Sequence, residues 1–115
     1  MCIRDRVKAS IEEMKLTMIR NFDAMMECCR TGQPIAVEDR VRYRYDSAVV
    51  ADRCLALSSR MLKAAGSGGI REGSDLLAYH LDILCSQAHV ANHAIPFANN
   101  LGAIMFGEEN ADFAI

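Results

Sequence analysis

Most of the features that announce a function are scarce or missing in this 115-residue chain. No apolar run approaches the ~20 residues needed to span a bilayer, which excludes a membrane helix as the organising element. No charge of one sign dominates: 13 basic residues against 15 acidic ones leave a net charge of −2. That balance provides no footprint for nucleic acid or an anionic membrane surface. No strand-type alternation, internal repeat or low-complexity linker appears. The five cysteines (Cys2, Cys28, Cys29, Cys54 and Cys85) contain no Cys-x-x-Cys spacing. Their number is odd, and Cys28 and Cys29 diverge on a helix, so reduced thiols serving as small apolar side chains are expected. His-Glu-x-x-His is absent, and no metal site is expected. The N-terminus is charged and lacks an apolar h-region, so no signal peptide is expected and a cytoplasmic setting is.

What the chain does have is helical periodicity. Val7, Ile11, Met14, Met18, Phe22, Met25 and Cys29 recur at spacings of three and four and predict a first helix from about Val7 to Arg30. Gly32 and Pro34 stop it. A second helix is predicted over Val37 to Ala65, with Glu38 and Asp39 in its first turn and Val41, Tyr45, Ala48, Leu55, Ser59 and Leu62 on its inner face. Asp52 lies on that stripe, with Arg42, Arg44 or Arg53 as its expected partner. Ser74 should cap a third helix that runs to about Ile95, where Pro96 kinks or breaks it. Phe97 to Phe106 reads as a short fourth helix closed by Gly107. The predicted fold is therefore all-α: an antiparallel bundle of three long helices plus a short C-terminal one, a partial four-helix bundle. Residues 1–6 read as the translation of a sequencing-adapter remnant, 7–107 as the helical domain and 108–115 as a frayed tail.

Chemistry is concentrated behind the second helix. Gly66-Ser67-Gly68-Gly69 forms a hinge that permits positive φ. It lacks Gly-Lys-Ser/Thr and follows no strand, so it is not a phosphate loop. On one continuous helix, Asp82, Ser86, His89 and His93 would fall within an arc of roughly 60°. Leu77, Leu81, Leu84, Ala88, Ala91 and Ile95 would then pack on the opposite side. His80 reads as structural.

The hinge, Asp82 and His89-Val90, in that order, resemble the C-terminal helical domain of the acyl-CoA dehydrogenase superfamily, and within it the branch of flavin-dependent two-component monooxygenases. This chain has Asp75-Leu76-Leu77-Ala78 where the branch has Pro-Leu-Gln-Arg, and Leu81-Asp82 where it has Arg-Asp. Many acyl-CoA dehydrogenases place a proton-abstracting Glu near the stretch that here reads Ala88-His89-Val90-Ala91, with no carboxylate. The resemblance implies a reduced flavin, FAD or FMN, near Gly66, Ser67, Gly68, Gly69 and Asp82. It implies His89 as the catalytic group, working as a base toward a phenolic hydroxyl or as an N–H donor, with His93 near the substrate. It also implies a homo-oligomer, usually a tetramer, assembled through the bundle, and a separate flavin reductase as partner. Acyl-CoA dehydrogenation and a non-enzymatic helical assembly module are the alternative readings.

Overall fold

The computed structural model describes residues 2–115. They form four α-helices: α1 (Ile3–Thr31), α2 (Val37–Ala65), α3 (Asp75–Gln87) and α4 (Ala94–Met105). Short 3-10 turns, Gly66–Gly68 and Val90–Asn92, flank α3. The described residues contain no strand. The all-helical bundle read from the periodicity is the fold observed. The molecule is 51 Å long and about half as wide, a shape set by its two 29-residue helices.

Helix α2 is the axis of the domain. Helices α1, α3 and α4 all pack on it. Val7, Met14 and Leu57, with Val50 and Cys54 beside them, join α1 to α2. Ala48, Ala94 and Phe97, with Tyr45 and Val49, join α2 to α4. The small Ala48, with no exposure at all, lets α4 approach closely.

The buried positions of α1 repeat every seven residues: Val7, Met14 and Asn21. Asn21 puts an amide into this seam, and the periodicity does not announce it. Its Nδ2 donates to Asp46 Oδ2 at 2.8 Å, and its Oδ1 accepts from the Arg20 guanidinium at 3.0 Å. Arg20 also pairs with Asp46 at 3.3 Å, so the buried amide and the half-buried carboxylate satisfy one another. Phe22, placed on the inner stripe by its spacing, is half exposed instead.

The ends of the elements follow local chemistry. Gly32, at φ 68°, closes α1 in the left-handed region, as its position predicts. Ser74 Oγ accepts from the Leu77 N–H and caps α3. The bounds of α2 are those expected, whereas α1 begins at Ile3 rather than near Val7.

Two expectations need correction. First, α3 ends at Gln87, not at about Ile95. Pro96 is not the breaker. It occupies the third position of α4, where a missing N–H costs no helical hydrogen bond. The chain turns at Ala88–His93 because side chains there capture backbone groups. His89 Nδ1 accepts from the Ala91 N–H at 3.1 Å, and Asn92 Nδ2 donates to the Ser86 carbonyl at 2.8 Å. Second, Asp52 finds no arginine. It accepts from Gln87 Nε2 at 2.8 Å, while Arg42, Arg44 and Arg53 pair with Asp39, Asp112 and Glu13. The tail 108–115, expected to fray, makes contacts with α4 and α2. Asn100 donates to Asn110 Oδ1 and accepts from the Ala111 N–H, both at 2.8 Å, and Asp112 faces Arg44 at 3.6 Å.

Candidate functional site

The break after Gln87 rearranges the predicted polar face. Asp82 and Ser86 remain together on α3, but His89 and His93 leave that helix. The arc of four is therefore not formed. The packing side of α3 also differs. His80 is half-buried with Nδ1 2.9 Å from Ser58 Oγ, and Gln87 is half-buried against Asp52. Leu81 and Leu84, expected inside, are 48% and 42% exposed. Both faces of α3 are rich in leucine, so its inward side is decided by the polar partners that α2 offers. The structural reading of His80 is the one observed.

Asp82 and Ser86 line a groove of about 360 Å³ between α2 and α3. Its floor is Val50, Ala51, Cys54 and Ile83, and Ser47 and Asn92 complete its polar rim. Burial pushes the Cys54 thiol upward from its ordinary pKa, and the adjacent Arg53 charge opposes this only in part. A thiol held neutral behaves as apolar floor, not as a nucleophile. The sequence reading missed Asn92 and Ser47 as rim residues. No periodicity marked Asn92, which lay inside the helix expected to run to about Ile95.

His89 is exposed and caps the turn Val90–Asn92 through Nδ1. An Nδ1 that accepts from a backbone N–H carries no proton in the neutral ring. The neutral tautomer is therefore Nε2–H, and the outward nitrogen is a hydrogen-bond donor. His93, also exposed, lines a separate cavity of about 310 Å³ with Arg44, Phe97 and Asn100. Arg44 lies 4.2 Å over the Phe97 ring there.

The hinge lies at the opposite end of α3. Helix α3, with thirteen residues at 1.5 Å each, is about 20 Å long, and the hinge precedes its N-terminal end. Gly66 turns the chain with φ 62° and ψ −151°, a conformation that only glycine adopts readily. A Cβ added at Gly66 or Gly68 would meet nothing within 4 Å, so the hinge backbone is an open rim and not a closed cradle. Gly69 is different: a Cβ there would stand 2.7 Å from Ala65 Cβ. The structure thus brings Asp82, Ser86 and Asn92 together. It keeps the hinge, His89 and His93 at three distinct places.

Among the described residues, no three His, Cys, Asp or Glu side chains cluster as metal ligands, and no helix is long and apolar enough to cross a membrane.

Comparison with known proteins places this arrangement. The sequence model described as "Acyl-CoA dehydrogenase, C-terminal domain" matches residues 5–94. The HsaA monooxygenase from M. tuberculosis superposes with a TM-score of 0.84 over 91% of this chain at 21% identity. The 3-HSA hydroxylase from Rhodococcus sp. RHA1 superposes with a TM-score of 0.89 over 95% of it at 18% identity. The chain spans 27% and 29% of the lengths of those two proteins. No curated protein matches it.

Proposed function

The chain belongs to the acyl-CoA dehydrogenase C-terminal domain family, and from that premise we propose that it is the helical part of a flavin-dependent oxidoreductase, most like a monooxygenase that uses reduced flavin. The observation that carries this reading is the overlay of nearly the whole chain on a monooxygenase and a hydroxylase. The substrate class is a small aromatic or similar ring bearing a hydroxyl group. The cofactor is FAD or FMN, and a separate reductase supplies it in reduced form. The setting is the cytoplasm.

The residues present do not wall a flavin site on their own. The hinge backbone at Gly66 and Gly68 is open, and the groove at Asp82 is lined by none of the hinge residues. In this reading Gly66, Ser67, Gly68, Gly69 and Asp82 form one edge of the cofactor site, and residues outside this chain form the rest. Assembly with further copies through the bundle would cover Leu81, Leu84, Val90 and Ile95, which are 42–75% exposed.

His89 is the proposed catalytic residue, and its cap narrows the role. With Nδ1 held by the Ala91 N–H, the neutral ring offers Nε2–H as a donor to a ligand oxygen. Of the two roles considered, donor and base, this geometry supports the donor. His93, at the mouth of the cavity with Phe97, is the proposed substrate contact.

The test uses the whole protein that carries this chain. His89→Asn retains an oxygen able to accept from the Ala91 N–H but removes the outward donor, and His89→Ala removes both. The proposal expects hydroxylation to fall by about 10²-fold or more in both variants, with flavin binding retained. Full activity in His89→Asn would reduce His89 to a turn cap. Acyl-CoA dehydrogenation is the second reading, favoured by the description of the matching family. Bleaching of the bound oxidised flavin by an acyl-CoA would establish it.

A further inference from the structure

At the end of α2 away from the hinge lies a cavity of about 410 Å³. It falls in the lower part of the ~300–1,000 Å³ range typical of small-molecule sites. Phe22 and Met25 of α1, Ile35 of the connecting loop and Ile115 of the tail form apolar walls. Arg40 stands in the lining as well. It shares only Ser47 with the Asp82 groove and only Arg44 with the His93 cavity.

The charges around it are arranged unevenly. Arg42, Arg44 and Arg53 on the same helix each face a carboxylate, from Asp39, Asp112 and Glu13 respectively. Arg20 on the facing helix is held by Asp46. Arg40 has no carboxylate partner among the described residues, and it is the cavity's one unpaired cation. A planar guanidinium beside apolar walls matches one kind of molecule: an apolar body that ends in a carboxylate. The walls exclude water from the body, and the fork of N–H donors fixes the charged end.

We propose that this cavity binds a small apolar carboxylate of the arylalkanoate type, with its carboxylate on Arg40 and its ring among Phe22, Met25, Ile35 and Ile115. The site is separate from the proposed chemistry at His89 and does not depend on it. The tail forms part of its wall through Ala114 and Ile115. Two Asn100 hydrogen bonds, to Asn110 and Ala111, hold the tail in this wall, and Asp112 faces Arg44 at 3.6 Å beside them.

The experiment titrates the full 115-residue chain with 3-phenylpropanoate and, separately, with its neutral amide, read by calorimetry and by amide NMR shifts. The carboxylate should bind about tenfold more tightly than the amide, with shifts concentrated in residues 18–25 and 35–47. Arg40→Gln should erase that preference, and Arg40→Lys, which keeps the charge, should retain part of it. Arg40 is exposed, so neither change threatens the fold. Three results would each overturn the proposal: no binding of either compound, equal binding of both to the unaltered chain, or an undiminished preference in Arg40→Gln.

Discussion

The hinge contains neighbouring glycines that should respond oppositely to the same substitution. Gly69 is buried, its φ of −71° is ordinary for any residue, and its N–H donates to the Gly66 carbonyl at 3.1 Å. Space alone demands glycine there. An added Cβ would meet Ala65 Cβ at 2.7 Å and the Leu62 carbonyl oxygen at 3.4 Å. Carbon atoms in favourable contact lie about 3.5–4.0 Å apart, so the turn would have to open by most of an ångström. Both atoms are fixed directly to the backbone and cannot rotate away. Overpacking of this kind costs about 1–3 kcal/mol. At about 4 °C per kcal/mol for a chain of this size, Gly69→Ala should lower Tm by roughly 4–12 °C. At Gly68 an added Cβ meets nothing within 4 Å. Gly68→Ala should be neutral or stabilise by up to ~1 kcal/mol, because it restricts the unfolded chain. Far-UV circular dichroism during thermal unfolding reads both variants. Equal Tm values for Gly69→Ala and Gly68→Ala would refute the packed-turn argument.

Other perturbations follow from the same contacts. Asn21→Ala removes the amide between Arg20 and Asp46 and should cost about 1–3 kcal/mol in a urea titration; an unchanged midpoint would show that the network is dispensable. Asn100→Ala cuts both hydrogen bonds to the tail, so amide exchange at 108–115 should accelerate while α1 and α2 keep their protection. Protection retained in the tail would mean that Arg44 and Asp112 hold it alone. Below its upward-shifted pKa, Cys54 is protonated and half-buried, so iodoacetamide near neutral pH should modify it after the exposed Cys29 and Cys85. Peptide mapping showing Cys54 modified first would contradict the burial argument.

The sequence made the helices legible where the local signals agreed and nothing competed with them. Val37 to Ala65 was read with its observed bounds because Pro34, the acidic first turn and the glycine hinge agree. The Ser74 cap and the Gly32 stop were read for the same reason. The reading failed where side chains compete with the helix for backbone groups. Pro96 drew the predicted break, but its place in the first turn of α4 is harmless, while His89 and Asn92 end the preceding helix through hydrogen bonds that no periodicity reveals. The facing of α3 failed similarly. His80 and Gln87 point inward only because Ser58 and Asp52 on α2 receive them, and those are contacts between residues 22 and 35 positions apart. The tail followed the same rule only in part: Asn100 and Arg44 contact it from outside, while Asn110 and Asp112 make turn hydrogen bonds within it.

The expected grouping of Asp82, Ser86, His89 and His93 on one helix face was not legible, because α3 ends at Gln87. Asp82 and Ser86 share a groove, His93 opens into another cavity, and the hinge precedes the N-terminal end of α3. A single ring-sized ligand cannot touch all of them within one chain. The exposed leucines of α3 and the open hinge are consistent with a site completed by further protein surface.

Oxygen-isotope labelling tests the central claim most directly. The whole protein carrying this chain is mixed with reduced flavin, a small phenol and ¹⁸O₂, and the product is analysed by mass spectrometry. The account predicts incorporation of one ¹⁸O atom into the phenol, with the second atom leaving as water. A protein that incorporates no label, yet whose oxidised flavin is bleached by an acyl-CoA, would contradict it.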